Sequence, residues 1–204
     1  MKQLALGISP PPRPTLENFI PGANAELVAH LRKFQEGNFA ESVLYLWGEA
    51  GSGKSHLLSA CAGLSACAGP NVVDDVESLD EASQIGLFNA INEARQSGGA
   101  VLAAGNAPPA QLPLREDLKS RLAWGLVYHV KPLTDGERAV FLRTEAERRG
   151  MRVPEDVIRY LLTHVRRDLP TLVAILDELD RVSLELKRPV TLPLVREALK
   201  EIEE

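Results

Sequence analysis

The sequence predicts an α/β protein: a parallel sheet with helices on both faces, followed by a smaller unit built only of helices. Three observations carry that prediction. Short apolar runs without polar alternation recur between helical stretches over residues 15–131, the pattern of strands buried on both faces. The first of these runs leads into a glycine-rich loop and then a helix, a strand–loop–helix unit typical of parallel sheets. From Pro132 onward the apolar spacing is helical.

Taken in order, residues 1–14 end in Pro10-Pro11-Pro12-Arg13-Pro14, which must be extended and favours polyproline II. Residues 15–131 then alternate strands and helices. The expected strands are Ser42–Trp47, Val72–Asp74, Ala100–Ala104 and Leu126–Val130. One helix follows the glycine-rich loop, a second runs from Asp80 to about Gln96, and a short third precedes the last strand. Gly98-Gly99 sits where the second helix must turn into the next strand. In residues 132–204, Thr134 and Glu137 form a capping box for a helix ending near Arg148-Arg149-Gly150. Further helices begin at Pro154, near Pro170 and after Thr191, proline being tolerated in a first turn. Leu172, Ile175 or Leu176, Leu179 and Val182 read as the core face of the third of these helices.

Composition bounds the function. A chain of 204 residues with net charge −5 and no basic block is a poor candidate for sequence-independent DNA binding, which rests on neutralising phosphates. Any DNA contact is expected to be weak or indirect. Cys61 and Cys67 fall on the same predicted helix, lack metal-ligand spacing and read as core thiols of a reducing compartment. The N-terminal apolar stretch is too short for a signal peptide or a membrane span, so a cytoplasmic protein is expected. His30, His56, His129 and His164 form no metal-ligand pattern.

The chemistry concentrates in Gly48-Glu49-Ala50-Gly51-Ser52-Gly53-Lys54-Ser55, a complete phosphate-loop motif. Gly48, Gly51, Ser52 and Gly53 let backbone N–H groups approach phosphate oxygens at a helix N-terminus. Lys54 adds charge at the β/γ-phosphates, the Ser55 hydroxyl ligates Mg²⁺, and His56 continues the binding turn. The expected ligand is ADP or ATP. In an open parallel sheet the remaining groups belong at the carboxyl ends of strands. Asp74 and Asp75 close one strand: Asp74 as a Mg²⁺ ligand and Asp75 as the group orienting water, or both as an acidic helix cap. Asn106 follows another strand and reads as a phosphate or water sensor, or as a turn residue before Pro108-Pro109. Arg121, ending the short helix, and Arg167, opening the third helix of the second unit, carry forks that match phosphate, or make surface ion pairs.

These residues resemble the AAA+ module of the DnaA family of replication initiators, and more closely its Hda-like branch, regulators that inactivate DnaA. The resemblance spans essentially the whole chain. It runs through Tyr45-Leu46-Trp47, Ser55-His56-Leu57-Leu58, Ser120-Arg121-Leu122-Ala123-Trp124-Gly125, Pro132-Leu133-Thr134-Asp135, Arg149-Gly150, Pro154-Glu155-Asp156-Val157 and Leu176-Asp177-Glu178-Leu179-Asp180. It implies a phosphate-loop AAA+ sheet, with a helical lid at 132–204 after a nucleotide-binding subdomain at 15–131. Asn106 then matches the first sensor, Arg121 the arginine finger, Arg167 the second sensor, and Thr15–Asn24, with Phe19, Pro21 and Gly22, the segment enclosing adenine. The chain departs from the family after the phosphate-loop helix, where one β-α unit is missing and an edge strand is lost. The helix-turn-helix domain with which DnaA reads DNA is expected to be absent.

Gln3-Leu4-Ala5-Leu6-Gly7-Ile8 resembles the peptide by which bacterial proteins dock on the sliding clamp, the β subunit of DNA polymerase III. The Gln3 amide would make directed hydrogen bonds while Leu4, Leu6 and Ile8 fill an apolar pocket. The resemblance implies DnaA and the clamp as partners, a homo-oligomer, no membrane, and Arg121 acting in trans on nucleotide held by DnaA. Intrinsic ATP hydrolysis is expected to be weak, with the ADP form competent. Two other readings remain at this point: a self-sufficient ATPase that loads or remodels a helicase, and an adaptor tethering DnaA-family proteins.

Overall fold

The computed structural model describes residues 13–62, 72–165 and 169–203. They divide into two compact units, one from Arg13 to Pro132 and the other beginning at Leu133.

The first unit contains helix α1 (Ala25–Gln35), strand β1 (Val43–Trp47), α2 (Lys54–Cys61), β2 (Val72–Val73), α3 (Glu81–Ser97), β3 (Val101–Gly105), α4 (Glu116–Leu122) and β4 (Leu126–His129). The four strands form one sheet in the order β2-β3-β1-β4, and every pairing is parallel. Alternation along β1 and β3 explains why both faces must be covered. Leu44, Leu46, Leu102 and Ala104 pack with Leu27, Leu31, Leu57 and Leu58 of α1 and α2. Val43, Tyr45, Val101 and Ala103 point the other way, onto Leu87, Ile91, Leu118 and Leu122 of α3 and α4. Strands buried on two faces need apolar residues at successive positions, hence the unbroken runs in the sequence.

Most expected elements form, with boundaries moved by a residue. β1 begins at Val43 and β4 ends at His129, yet Ser42 O accepts from Val101 N at 2.9 Å and Val130 N donates to Trp47 O at 2.7 Å. The ladder bonds therefore reach both residues that the sequence included. The first strand–acid junction is shorter than expected, because pairing with β3 stops at Val73↔Ala103. Asp80 does not enter α3 but caps it, its carboxylate accepting from Ser83 N at 2.8 Å. Gly98 closes the same helix at φ 74°. Helix α1 was not expected from the sequence. Leu27, Val28, Leu31 and Phe34 give it a buried stripe, but Asn24 offers no side-chain cap to announce it. α2 ends at Cys61, with Ala62 already extended, so the single helix expected to carry both cysteines does not continue past Cys61. Cys67 lies outside the described residues.

Among the described residues the second unit holds four helices: α5 (Asp135–Arg148), α6 (Glu155–His164), α7 (Leu169–Leu186) and α8 (Leu192–Glu203). The capping box forms as expected, with Glu137 N on Thr134 Oγ1 at 3.3 Å and Thr134 N on Glu137 Oε2 at 2.7 Å. Leu172, Ile175, Leu176 and Leu179 of α7 face Leu142, Val157, Leu161 and Val195 in a separate core. Arg149 ties this core's rim, its Nη2 lying 3.0 Å from both Glu145 and Asp177. Among the described residues no helix is long and apolar enough to cross a membrane.

Candidate nucleotide site

Because all four strands run parallel, their carboxyl ends share one edge of the first unit, and the residues that follow them are brought together there. The glycine-rich loop leaves β1 at Gly48, Asp74 follows β2, and Asn106 follows β3, Trp47 being in register with both Gly105 and His129. Trp47 also stacks on His129, with ring centroids 4.0 Å apart and planes 9° from parallel.

Close approach of a neighbour as well as backbone angle demands glycine at two places in the loop. Gly53 caps α2 at φ 101°, and a Cβ there would come within 2.8 Å of Phe19 Cε2. A Cβ on Gly48 would meet Val130 O at 2.7 Å. Lys54 is buried and its Nζ donates to Gly48 O at 2.8 Å and Glu49 O at 3.0 Å, so the ammonium is held over the loop's own backbone. Ser52 Oγ is buried and has no hydrogen-bond partner among the described residues. An orphaned hydroxyl, a lysine ammonium and the free N–H groups of the α2 first turn converge on one glycine-lined loop. That set suits a phosphate chain. Ser55 lies exposed on that first turn. Ser55 and Asp74 offer oxygen donors of the hard type that Mg²⁺ takes. Among the described residues no cluster of three His, Cys, Asp or Glu gathers, so a divalent ion here would need phosphate oxygens to complete its shell.

The segment before α1 folds against this loop. Phe19 packs over Gly53 and lies 5.5 Å from the His56 ring, and His56 Nε2 is 3.0 Å from Thr15 O. Pro21 and Gly22 form a short turn closed by Asn24 N on Pro21 O at 2.7 Å. Asn24 was missed by sequence reasoning as a site-building residue. It is buried, its Nδ2 donates to Lys131 O at 2.9 Å, and its Oδ1 accepts from Lys131 N at 2.8 Å. The side chain thus pairs like a strand residue and pins residues 15–24 to the chain leaving β4.

Asp74 and Asp75 are held differently from one another. Asp74 Oδ1 accepts from Asp75 N at 2.9 Å, and Asp75 adopts φ 47°. That left-handed turn directs the chain into a short 3₁₀ helix, Val76–Ser78. It brings Glu77 to β3, where Glu77 Oε2 accepts from Asn106 N at 3.3 Å. Burial, aided by the Glu77 charge, drives the Tyr45 phenol well above its ordinary range, and its hydroxyl donates to Ala107 O at 2.8 Å. Glu77 therefore buttresses the Asn106 turn, a role across 29 residues that sequence reasoning did not assign.

Arg121 stands on the last turn of α4, half-buried at the surface and not in the core. Its Nε donates to Asn92 Oδ1 at 3.0 Å, and its guanidinium carbon lies 3.6 Å from the Trp124 ring centroid and 5.1 Å from that of Phe88. Arg95 reaches the same indole, 4.3 Å from its centroid. Among the described residues neither arginine lies within salt-bridge distance of a carboxylate, so the ion-pair alternative for Arg121 does not hold there. Arg167 and the tail residues Gln3, Leu4, Leu6 and Ile8 lie outside the described residues.

Comparison with known proteins supplies the frame. Residues 135–199 match the family model described as the lid domain of Hda. Domain III of the replication initiation protein DnaA from Thermotoga maritima is similar over 93% of this chain and 97% of that one, at 23% identity and TM-score 0.74. AMPPCP-bound DnaA from Aquifex aeolicus is similar over 93% of this chain and 80% of that one, at 18% identity and TM-score 0.68. The Thermotoga maritima RuvB Holliday junction branch migration motor is similar over 93% and 72%, at 16% identity and TM-score 0.69. A phosphate-loop sheet with the fold of DnaA domain III thus precedes a helical unit whose residues 135–199 match the lid domain of Hda.

Proposed function

We propose that this protein is a nucleotide-bound regulator of chromosomal replication initiation that donates Arg121 to ATP held by a neighbouring DnaA subunit and so stimulates its hydrolysis. The carrying observation is Arg121 itself: a surface guanidinium without a carboxylate partner among the described residues, on a unit with the fold of DnaA domain III, followed by a lid that matches Hda. An arginine supplied in trans to a hydrolytic site is worth about 10³–10⁵ in rate.

The protein's own nucleotide, ADP or ATP, is held by Gly48, Gly51, Ser52, Gly53, Lys54, Ser55 and His56, with Phe19, Pro21 and Gly22 around the base and Arg167 in the role of second sensor that the resemblance implies. Mg²⁺, held by Ser55 and Asp74, would neutralise phosphate charge there. That nucleotide sets shape and assembly, while Asp75 and Asn106 give a weak intrinsic hydrolysis. The tail, through Gln3, Leu4, Leu6 and Ile8, docks on the sliding clamp, which confines the activity to replicated DNA and raises the local concentration of the pair.

The test is an assay of DnaA ATP hydrolysis with this protein, the clamp and DNA omitted in turn. Arg121→Ala should abolish stimulation while leaving nucleotide and clamp binding intact, and retained stimulation would overturn the reading. Deletion of residues 1–8 should remove clamp binding without lowering the melting temperature. A second reading, an autonomous ATPase acting as a helicase loader or remodeller, is favoured by Asp74 and Asn106 following strands on the same sheet edge as the loop. Robust turnover by the isolated protein, indifferent to DnaA and clamp, would select it.

A further inference from the structure

We propose that Trp124 and Asn92 are positioning residues for Arg121, holding its guanidinium by one flat face and by Nε so that the two terminal nitrogens stay free for a phosphate. This rests on the reading of Arg121 as a group donated in trans.

The contacts divide the guanidinium in a telling way. Its Cζ lies over the Trp124 ring, 3.6 Å from the centroid, and Asn92 Oδ1 accepts from Nε at 3.0 Å. Nε is the only nitrogen of the group with a hydrogen-bond partner among the described residues. The terminal pair, which makes the fork-to-fork contact with phosphate, is left uncommitted. Both supports are uncharged. An aromatic face stabilises a cation without neutralising it, and an amide oxygen accepts a hydrogen bond without competing as a counter-ion. A carboxylate in the place of Asn92 would hold the arginine as firmly and spend its charge. Arg95, its Cζ 4.3 Å from the same indole centroid and with no carboxylate in salt-bridge distance among the described residues, adds a second cation and keeps the patch attractive to an anion.

The arrangement also restricts motion. A free arginine side chain samples many rotamers, and each contact made before the encounter lowers the ordering left to do at the transition state. Asn92 comes from α3, while Trp124 follows α4, its N–H bonding Arg121 O at 3.1 Å. The turn that ends α4 therefore sets the stacking distance, and α3 sets the direction of reach. Trp124 is 36% exposed, so its replacement leaves the core intact.

The chain has two tryptophans, so Trp47→Phe makes Trp124 the only one and its fluorescence a direct report on the stack. In that background Arg121→Ala should shift Trp124 emission, and an unchanged spectrum would overturn the proposal. In the assay with cognate DnaA and DNA-loaded clamp, Trp124→Ala and Asn92→Ala should each lower the maximal stimulated rate about tenfold. The half-saturating concentration should stay the same, and Trp124→Phe should restore most of the rate. A raised half-saturating concentration with an unchanged maximal rate would make Trp124 a docking contact and sink the proposal. Melting temperatures verify that each variant folds. If Arg121→Ala abolishes stimulation while Trp124→Ala and Asn92→Ala do not weaken it, positioning alone fails. If Arg121→Ala itself leaves stimulation intact, the finger reading fails.

Discussion

Replacing Gly53 by alanine probes the junction on which the nucleotide site depends. Two separate costs are visible. The backbone at this position has φ 101°, where an L-residue with a Cβ loses about 1–2 kcal/mol. The new methyl would stand 2.8 Å from Phe19 Cε2 and 3.6 Å from Phe19 Cζ, inside ordinary carbon–carbon contact, and relieving such a clash costs about 1–2 kcal/mol more. Gly53→Ala should therefore lower stability by about 2–4 kcal/mol, read from urea denaturation. Phe19 is 9% exposed, and Phe19→Ala should by itself cost about 3 kcal/mol. The two changes must couple. Removing the ring frees the space that the methyl needs, so the double variant should fall short of the sum by about 1–2 kcal/mol, leaving only the backbone share of the Gly53 cost. Additivity to within about 0.5 kcal/mol would mean that Phe19 does not rest on Gly53 in solution. The packing of residues 15–24 over the loop would then be wrong.

Two further outcomes test other parts of the first unit. Asn24→Ala orphans both backbone groups of Lys131 and should destabilise the protein by about 2–3 kcal/mol while weakening nucleotide binding, whereas Asn24→Asp should retain the Lys131 N–H bond and lose less. Burial pushes the Cys61 thiol up to about 12, partly opposed by a hydrogen bond with Gln35. In a Cys67→Ser variant Cys61 should therefore resist a thiol reagent at pH 8 until the protein unfolds. The sign of the pH effect follows: the stability tied to the protonated thiol is whole below pH 9, its ordinary value, and is lost as pH rises from there through about 12. Rapid labelling of folded protein would contradict the burial of α2 against the sheet.

The fold was legible because its signals are local and physical. Two-sided burial forces unbroken apolar runs at β1 and β3, and a phosphate loop has almost no freedom of composition. Caps at Gly98 and Thr134 can be read from residue type and spacing, whereas Asp80 was expected inside the helix that it caps. α1 escaped notice since its start has no capping side chain, and its stripe is recognisable only once the sheet face that it covers is known. The site was legible only along the chain. The loop, Asp74, Asp75, Asn106 and Arg121 each follow a strand or end a helix, places where spacing carries meaning. Asn24, Asn92 and Glu77 act across about a hundred, thirty and thirty residues respectively, by side chains whose partners only tertiary folding supplies. Trp124 was in view as part of a motif, but no spacing rule tells an indole that supports an arginine from one that fills a core.

Among the described residues the strand that precedes Asp74 pairs with β3 at Val72↔Leu102 and Val73↔Ala103, and both valines are only half-buried. Half-buried and next to the end of the pairing, Val72 and Val73 should exchange their amides with deuterium before the residues of β1. The phosphate loop and Asn106 ride on five-residue strands buried on both faces, so they would keep their places through a local opening there. Asp74 and Asp75 can thus shift while the phosphate loop and Asn106 stay put. On the proposed function, affinity for nucleotide and hydrolytic competence would then be separately adjustable.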